Sequence, residues 1–493
     1  MLYQSTRSKE LTANSAEAVL NGLAPDGGLY VFSDFRAVSL DTKAVLEQEP
    51  LAMAAEILTA LLPDFSREEM QTLVRDAYRD KFSAPELTPT IPVGEDTVLE
   101  LFHGPTSAFK DVALSVLPHL MTASQKKCGV ADDVLILTAT SGDTGKAAME
   151  GFRDVPGTKI IVFYPHGGVS EVQRMQMATQ EGGNVKVCAI RGNFDDAQTA
   201  VKQFFADARS LNLMEGTGAR PSSANSINIG RLAPQVVYYY RAYADLMRRG
   251  TVSFGDPVDF VVPTGNFGDI LAGYFAKQMG LPVGRLVCAS NANDVLTEFL
   301  QTGRYDRRRP FYRTVSPSMD ILVSSNLERM LFLSCGEESA VADWMRQLRE
   351  EGFYQIPQEL LAKLHGIFWA GSCDDAETKR TIGEVWTKYR YLCDPHTAVA
   401  WRVAQQYKAE NPQHAPLVIL STASPYKFPA AVLEGIGSPD TGNDAFAAID
   451  RLHELTGTPV PANLSGLRTR PERHKDVIDI AELRDYVLQF AKE

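Results

Sequence analysis

The sequence predicts an α/β protein with two open, mostly parallel sheets covered by helices, and with a mainly helical N-terminal domain. From about residue 96, short β-branched apolar runs alternate with amphipathic helical segments, which is typical of parallel sheets covered on both faces. The first ninety-odd residues show helical periodicity but no strand followed by a glycine loop. Because 493 residues exceed one ordinary core, we expect an N-terminal domain (1–95), a two-lobed core (96–430) and a C-terminal extension (431–493).

Individual elements follow from local periodicity. Helical spacing of apolar residues predicts helices within 44–62 and 67–78, and a turn-rich segment covers 24–30. A final helix is expected at 480–492. The candidate strands are short, mostly apolar runs, and most lead into a helix; they are 134–138, 159–164, 185–190, 260–262, 286–289 and 417–420.

Composition narrows the function classes. The chain is 44% hydrophobic and 22% charged, as in globular proteins. Its net charge of −12 disfavours a nucleic-acid partner, and no apolar stretch is long enough for a membrane span. The six cysteines have no metal-ligand spacing, which indicates free thiols in a reducing compartment. With no secretory or transit signal in the first residues, we expect a cytoplasmic protein without a bound metal.

Three polar loops each follow a β-branched apolar run directly, at 140–145, 263–269 and 421–424. In open parallel sheets, ligands bind beyond the carboxyl ends of the strands. The first loop has two glycines and two or more hydroxyls before a helix, which suits an anion such as a carboxylate. An ordinary helix N-cap is the alternative.

The second loop, Pro263-Thr-Gly-Asn-Phe-Gly-Asp269, has glycines that allow successive N–H groups to form an anion-binding nest. It matches neither a Walker A loop nor GxGxxG, and a structural turn is the alternative. The third loop, Ser421-Thr-Ala-Ser424, is weak evidence alone, since it could be a capping segment.

Lys110 lies in His103-Gly-Pro-Thr-Ser-Ala-Phe-Lys-Asp111. Taken alone, a lysine is usually an exposed charge. Together with the three loops it predicts pyridoxal phosphate (PLP) chemistry: an amine for the aldehyde, a carboxylate clamp, a phosphate cradle, and a hydroxyl for the ring nitrogen. The amine must lose its proton to react, which the apolar Phe102, Phe109 and Val112 nearby would favour.

Other charged and polar residues are weaker candidates. Lys146, Arg174 and Arg231 could each meet an anionic substrate group or be surface charges. His103 and His396 are candidate acid–base or hydrogen-bonding groups, and a structural histidine is an equal alternative for both.

The ordered motifs resemble the threonine synthase family, of the long bacterial and fungal type, within the fold-type II PLP enzymes related to tryptophan synthase β. Besides the Lys110 motif and the loops at 140–145 and 265–269, the motifs that carry the resemblance are Gly27-Gly-Leu-Tyr-Val31, Ser223-Ala-Asn-Ser-Ile-Asn228, Ser316-Pro-Ser-Met-Asp-Ile321, Ser325-Asn-Leu-Glu-Arg329 and Asp394-Pro-His-Thr-Ala398. The match covers residues 27 to about 428. One departure is Ser424-Pro-Tyr-Lys-Phe428, where the family often has His-Pro-Ala-Lys-Phe.

The resemblance implies that the cofactor lies between two lobes and is bound covalently by Lys110, the catalytic residue. It places Gly265, Asn266, Phe267 and Asp269 at the cofactor phosphate and Thr422 at the pyridine nitrogen. The residues expected to bind the substrate are Thr140, Ser141, Asp143, Thr144, Gly145, Lys146, Arg174, Asn228 and Arg231.

The implied reaction converts O-phospho-L-homoserine and water to L-threonine and phosphate, the last step of threonine biosynthesis, with the freed Lys110 amine as a general base. The long bacterial type suggests a monomer. Two alternatives remain: a threonine-synthase-like phospholyase that releases a 2-oxo acid, and a PLP-binding protein without catalysis.

Overall fold

A computed structural model of the chain describes residues 2–32, 34–140, 143–169, 171–439, 442 and 444–493. Its strands, numbered in chain order, are β1 (Tyr3–Ser5), β2 (Ser8–Ala13), β3 (Tyr30–Val31), β4 (Thr90–Val93), β5 (Asp96–Glu100), β6 (Asp133–Ala139), β7 (Thr158–Pro165), β8 (Val185–Arg191), β9 (Ala219–Ser222), β10 (Val258–Pro263), β11 (Val283–Ser290), β12 (Arg304–Asp306), β13 (Phe353–Gln355), β14 (Phe368–Ser372), β15 (Leu417–Ser421) and β16 (Asp476–Asp479).

The α-helices of the described residues are α1 (Ser15–Asn21), α2 (Thr42–Leu46), α3 (Pro50–Leu61), α4 (Arg67–Tyr78), α5 (Lys110–Leu114), α6 (Leu117–Lys127), α7 (Asp143–Phe152), α8 (Glu171–Ala178), α9 (Phe194–Ser210), α10 (Ile229–Leu232), α11 (Val236–Arg248), α12 (Gly268–Gln278), α13 (Val295–Thr302), α14 (Leu327–Cys335), α15 (Glu338–Glu350), α16 (Gln358–His365), α17 (Asp375–Tyr389), α18 (Pro395–Glu410), α19 (Pro429–Gly435), α20 (Ala445–Thr456) and α21 (Leu483–Lys492). Within this part of the chain, none of the helices has both the length and the apolar character that crossing a membrane requires.

Two sheets form the α/β core. One has the strand order β14-β11-β10-β15-β5-β4, in which only the β4–β5 pair is antiparallel. The other is parallel throughout, in the order β16-β8-β7-β6-β9. The predicted class, two open and mostly parallel sheets, is confirmed.

Alternating burial shows why these strands form where they do. In β10, Phe260 and Val262 face one apolar cluster and Val261 faces another. In β6, Ile136 and Leu137 likewise belong to different clusters. Because successive side chains point to opposite faces, a strand buried on both sides reads as a continuous apolar run, which is the pattern that predicted them.

The N-terminal residues are mainly helical, as predicted, but also carry the antiparallel sheet β2-β1-β3. The helix expected over 44–62 is two helices, because Pro50 starts α3 at its first turn. The side chains of Tyr3 and Leu58 join the same apolar cluster as Ile136 and Val262 of the two sheets. The N-terminal segment is therefore packed directly on the core.

The C-terminal residues supply an edge strand, β16, which pairs in parallel with β8. The expected final helix begins at Leu483, after a 3₁₀ turn over Ile480–Glu482. Neither feature tests the boundaries at 95 and 430, which stay predictions.

Candidate functional site

A cavity of about 350 Å³ lies at the carboxyl ends of β6, β10 and β15. All three predicted polar loops reach it, as expected for strands whose ends meet in one crevice. The predicted site residues that line it are Lys110, Thr140, Thr144, Arg231, Gly265, Asn266, Asp269 and Thr422. The tertiary structure thus brings together residues from five separate stretches of the chain.

Lys110 begins α5, at the end of a tight loop organised by Asp111. The buried Asp111 carboxyl accepts hydrogen bonds from the Thr106 N–H (2.8 Å) and the Thr106 hydroxyl (2.6 Å). Burial raises the pKa of Asp111 to about 6, although the Thr106 hydrogen bonds act in the opposite direction. The loop therefore holds the backbone of Lys110 through its immediate neighbour.

The amine of Lys110 points into the cavity between apolar and hydroxyl groups. Its Nζ donates to Ser318 Oγ at 3.4 Å and lies 5.8 Å from the centre of the Phe109 ring. Lys110 is half-buried, and its amine can be reached from the cavity.

The predicted phosphate loop surrounds the N-terminus of α12. Ser324 Oγ donates to the Gly265 carbonyl (2.8 Å) and the Asn326 N–H donates to the Asn266 carbonyl (3.0 Å). No hydrogen bond found among the described residues uses the N–H groups of Gly265, Asn266 or Gly268. Donors at the N-terminus of an 11-residue helix suit an anion.

Phe267 shapes this loop through its backbone. Phe267 has φ of 63°, a left-handed conformation that is unusual for a residue with a side chain. Its ring is buried 5.5 Å from the ring of Phe368, measured between centroids, so Phe267 contributes its backbone and does not line the cavity with its ring.

Asp269 is buried in the first turn of α12, and its Oδ1 accepts the Ile270 N–H at 2.9 Å. Burial raises the pKa of Asp269 to about 7, while nearby Lys110 lowers it. A carboxyl group that is partly neutral at physiological pH repels a phosphate less than a full carboxylate would.

The loop after β6 is only partly described: Ser141 lies outside the described residues, and so does the side chain of Asp143. Thr140 and Thr144 line the cavity. The Gly145 N–H donates to Thr140 Oγ1 at 3.3 Å, so Gly145 closes the loop internally.

The loop after β15 packs against the lysine loop. The Phe109 N–H donates to the Thr422 carbonyl at 2.8 Å, and Ala108 pairs with Ala423 in an antiparallel bridge. These bonds hold the loop that carries Thr422 beside the loop that carries Lys110. Thr422 is 5% exposed and lines the cavity.

Of the three candidate cations, only Arg231 lines the cavity. Its Nη1 donates to the Ala224 carbonyl (2.8 Å), and its Nε has no hydrogen-bond partner among the described residues. Burial lowers the pKa of Arg231 to about 10. A buried guanidinium without a paired carboxylate is costly, and an anionic ligand would offset that cost.

The other two cations are paired elsewhere. Lys146 contacts Gln180 and lies 3.6 Å from Glu150, and burial lowers the pKa of its ammonium. Arg174 forms ion pairs with Glu171 (2.7 Å) and Glu472 (2.8 Å). The structure does not bring either to the cavity wall, and their substrate roles stay predictions.

Asn228 is the N-cap of α10. Its Oδ1 accepts the Gly230 N–H and its Nδ2 donates to the Val19 carbonyl, both at 2.8 Å. Both functional groups of the amide are therefore used within the protein, and Asn228 is not among the residues that line the cavity.

The two candidate histidines differ in their position relative to the cavity. His103 lies outside the cavity lining, with Nε2 2.8 Å from Glu100 Oε2. His396 lines the cavity, and its Nδ1 lies 2.7 Å from Asp394 Oδ1.

Sequence reasoning missed the part of the cavity wall that packs against the start of α12. The turn Pro317–Met319 and the flanking Asp320 and Ile321 line the cavity, as does Gln235. The motif Ser316–Ile321 contributed to the resemblance without any assigned role, because its position near Lys110 depends on long-range packing.

Comparison with known proteins agrees with this geometry. The family described as "Pyridoxal-phosphate dependent enzyme" matches residues 97–423, and this fold and site define a pyridoxal-phosphate-dependent enzyme. The regions described as "Threonine synthase N terminus" and "Threonine synthase, C-terminal" match residues 2–78 and 397–487. The chain belongs to the threonine synthase family.

Individual relatives support the assignment. Threonine synthase from Pseudomonas aeruginosa is 40% identical over 445 residues, which cover 89% of this chain and 91% of the relative. The crystal structure of "PLP bound Threonine synthase from Brucella melitensis" is 37% identical, with a TM-score of 0.87 over 100% of both chains. Human threonine synthase-like 1 is 39% identical over 435 residues, 85% of this chain, but this chain spans only 58% of that relative's length.

Proposed function

We propose that this chain is a threonine synthase, which converts O-phospho-L-homoserine and water to L-threonine and phosphate with PLP as cofactor. The observation that carries the proposal is the meeting, in one cavity, of the Lys110 amine, the helix N-terminus at Gly265–Asp269 and the buried Arg231. The cavity therefore has one reactive amine and two separate positions for anions. A phosphorylated amino acid bound to a phosphorylated cofactor requires such a site.

The described residues fit the cofactor. The N–H groups at the start of α12 have no partner in the described part of the chain and would donate hydrogen bonds to the cofactor phosphate. Lys110 would hold the aldehyde carbon, and the Thr422 hydroxyl would face the ring nitrogen. When bound, the cofactor supplies the aldehyde and a ring that stabilises negative charge on the substrate.

The protein's own side chains would carry out the remaining chemistry. Lys110 would move protons as a general base, and its amine is positioned at the cavity wall by the hydrogen bond to Ser318. A threonine hydroxyl can donate a hydrogen bond but is too weak an acid to protonate a pyridine nitrogen. Thr422 would therefore favour elimination and replacement over transamination.

Arg231 is proposed to bind an anionic substrate group. Its guanidinium is buried, has an unused Nε donor among the described contacts, and lies on the wall formed with Ser223–Ser226. Thr140 and Thr144 are proposed to contact the substrate from the loop after β6. The assignments of Ser141, Asp143, Gly145, Lys146, Arg174 and Asn228 are kept as weaker proposals.

A product assay tests the function. Purified protein with PLP and O-phospho-L-homoserine should release phosphate and threonine in equal amounts. Release of 2-oxobutyrate without threonine would instead identify a phospholyase. Absence of phosphate release from any phosphorylated hydroxy-amino acid would indicate a protein that binds the cofactor without catalysis.

We also propose a monomeric protein located in the cytoplasm, acting in the aspartate-derived pathway of amino-acid biosynthesis, with the three-part organisation 1–95, 96–430 and 431–493. All six cysteines are free, which suits a reducing compartment. Light scattering coupled to size exclusion tests the monomer: a mass well above 54.2 kDa would refute it.

A further inference from the structure

The turn Pro317–Met319 connects two parts of the proposed site through a single residue, Ser318. Its hydroxyl lies 3.4 Å from Lys110 Nζ. Its carbonyl oxygen lies against Gly265, only 2.7 Å from where a β-carbon at that position would be. The position of Ser318 therefore affects both the reactive amine and the phosphate loop.

Ser318 is held in place by His396. The Ser318 N–H donates to His396 Nε2 at 3.1 Å, so this nitrogen carries no proton. The other ring nitrogen, Nδ1, donates its proton to Asp394 Oδ1 at 2.7 Å. Asp394 thus selects the tautomer of His396 that can accept from Ser318.

Asp394 is itself fixed by a helix. It is the N-cap of the 16-residue helix α18, where its carboxylate accepts the N–H groups of His396 (2.9 Å) and Thr397 (3.3 Å). Both Asp394 and His396 are almost fully buried. The ring of His396 also packs edge-on against Phe428, 4.9 Å between centroids.

The other end of the turn has a different anchor. The Asp320 carboxylate accepts hydrogen bonds from Asn291 Nδ2 (2.8 Å), Asn293 Nδ2 (3.0 Å) and the Thr314 hydroxyl (2.7 Å). These bonds hold the Asp320 side of the turn independently of His396. Loss of the His396 bond would therefore release Ser318 without unfolding the whole segment.

We infer that Asp394 and His396 form a positioning pair, which holds Ser318 against Lys110 by keeping a proton-free imidazole nitrogen at the Ser318 N–H. The inference rests on the proposed function and adds a residue pair that acts through Ser318, not on the substrate. It predicts that a tautomer change at His396 impairs the lysine chemistry even where the fold is intact.

The test compares four variants of the full-length protein loaded with PLP. H396L removes the acceptor, whereas H396Q places an amide oxygen close to the former Nε2. D394N can still cap the Thr397 N–H through its amide oxygen, but its amide nitrogen would donate to Nδ1, which moves the imidazole proton to Nε2. H119L is the matched control, since His119 is an internal histidine on α6 outside the cavity lining.

H396L and D394N should lower kcat by about 10- to 100-fold, typical for loss of a supporting hydrogen bond, with KM changed by less than about threefold. H396Q should recover most of the loss, and H119L should keep wild-type kcat. The effect of D394N should largely disappear in the H396Q background, because the amide needs no tautomer selection.

A second readout is independent of turnover: the rate at which added PLP attaches to Lys110 in cofactor-free protein, followed by visible absorbance. It should fall in H396L and D394N but not in H119L. Wild-type rates in both variants, or an H396Q protein as impaired as H396L, would overturn the inference. If wild-type protein neither takes up PLP nor releases phosphate, the proposed function itself is wrong.

Discussion

Gly265 packs closely against the turn at Ser318, where the proposed phosphate loop meets the rest of the cavity wall. In Gly265→Ala, the new β-carbon would lie 2.7 Å from the Ser318 carbonyl oxygen, 0.7 Å closer than the 3.4 Å at which ordinary contact begins. The atom it meets is backbone, which cannot rotate away as a flexible side chain can. Either the loop or the Ser318 turn must move.

The size of the effect follows from this clash. Overpacking of a well-packed position costs about 1–3 kcal/mol, which corresponds to about 5- to 150-fold in a dissociation constant. Both segments that could move contribute to the proposed cofactor site. We therefore expect weaker PLP binding, by about 10-fold or more, as the main consequence.

The assay is titration of cofactor-free protein with PLP, followed by visible absorbance, together with thermal unfolding. Gly268→Ala serves as the comparison, because its β-carbon would meet only the side-chain nitrogens of Asn326 and Gln235, at 3.4 and 3.7 Å. It should bind PLP more tightly than Gly265→Ala. If Gly265→Ala kept both its PLP affinity and its thermal stability, the reasoning from the Ser318 contact would be refuted.

Four further predictions concern single residues. Lys110→Ala should abolish both turnover and the visible absorbance of lysine-bound cofactor; survival of either in a mass-verified variant would contradict the assignment. Thr422→Ala should lower kcat more than PLP affinity, measured by steady-state kinetics and cofactor titration, since the phosphate loop supplies much of the binding. Arg231→Met should lower kcat/KM by about 10- to 150-fold, the value of hydrogen bonds to a charged group, whereas Arg346→Met, which loses only exposed ion pairs on α15, should stay near wild type; equal losses would contradict the cavity assignment. Burial raises the pKa of Asp269 to about 7, so the folded state binds the Asp269 proton more tightly than the unfolded state. The contribution of this group to the free energy of unfolding is therefore greatest below about pH 4 and falls as the pH rises to about 7. Asp269→Asn should remove this part of the pH dependence, measured by urea unfolding of cofactor-free protein.

The strands of the core could be predicted because their signal is local. A run such as Val134–Thr138 is apolar on both faces and followed by a glycine loop, and the structure extends it by one residue at each end. By contrast, β16 has only partly buried and exposed residues and lies at a sheet edge. Its pairing with β8 depends on a partner almost 290 positions away, which no local pattern reveals.

The candidate cations also show what local sequence cannot reveal. Lys146, Arg174 and Arg231 are hard to distinguish by local sequence, since each lies within the first four residues of a helix. Only packing decides that Arg174 meets Glu472 from the C-terminal segment and that Arg231 is buried at the cavity. Tertiary contacts decide which partner a long side chain meets, and that partner decides what the side chain does.

The sequence by itself determined the α/β class, the strands that lead into the polar loops, and the choice of Lys110 within a PLP-type constellation. These depend on periodicity, on glycine and hydroxyl spacing, and on the rule that ligands bind at the carboxyl ends of parallel strands. Only the tertiary structure decided that Ser318, from a distant turn, meets the amine and that His396 and Asp394, from the start of α18, hold Ser318 in place. The physical reason is that hydrogen bonds act over about 3 Å, so a network built from residues more than 200 positions apart exists only once the sheets and helices have packed.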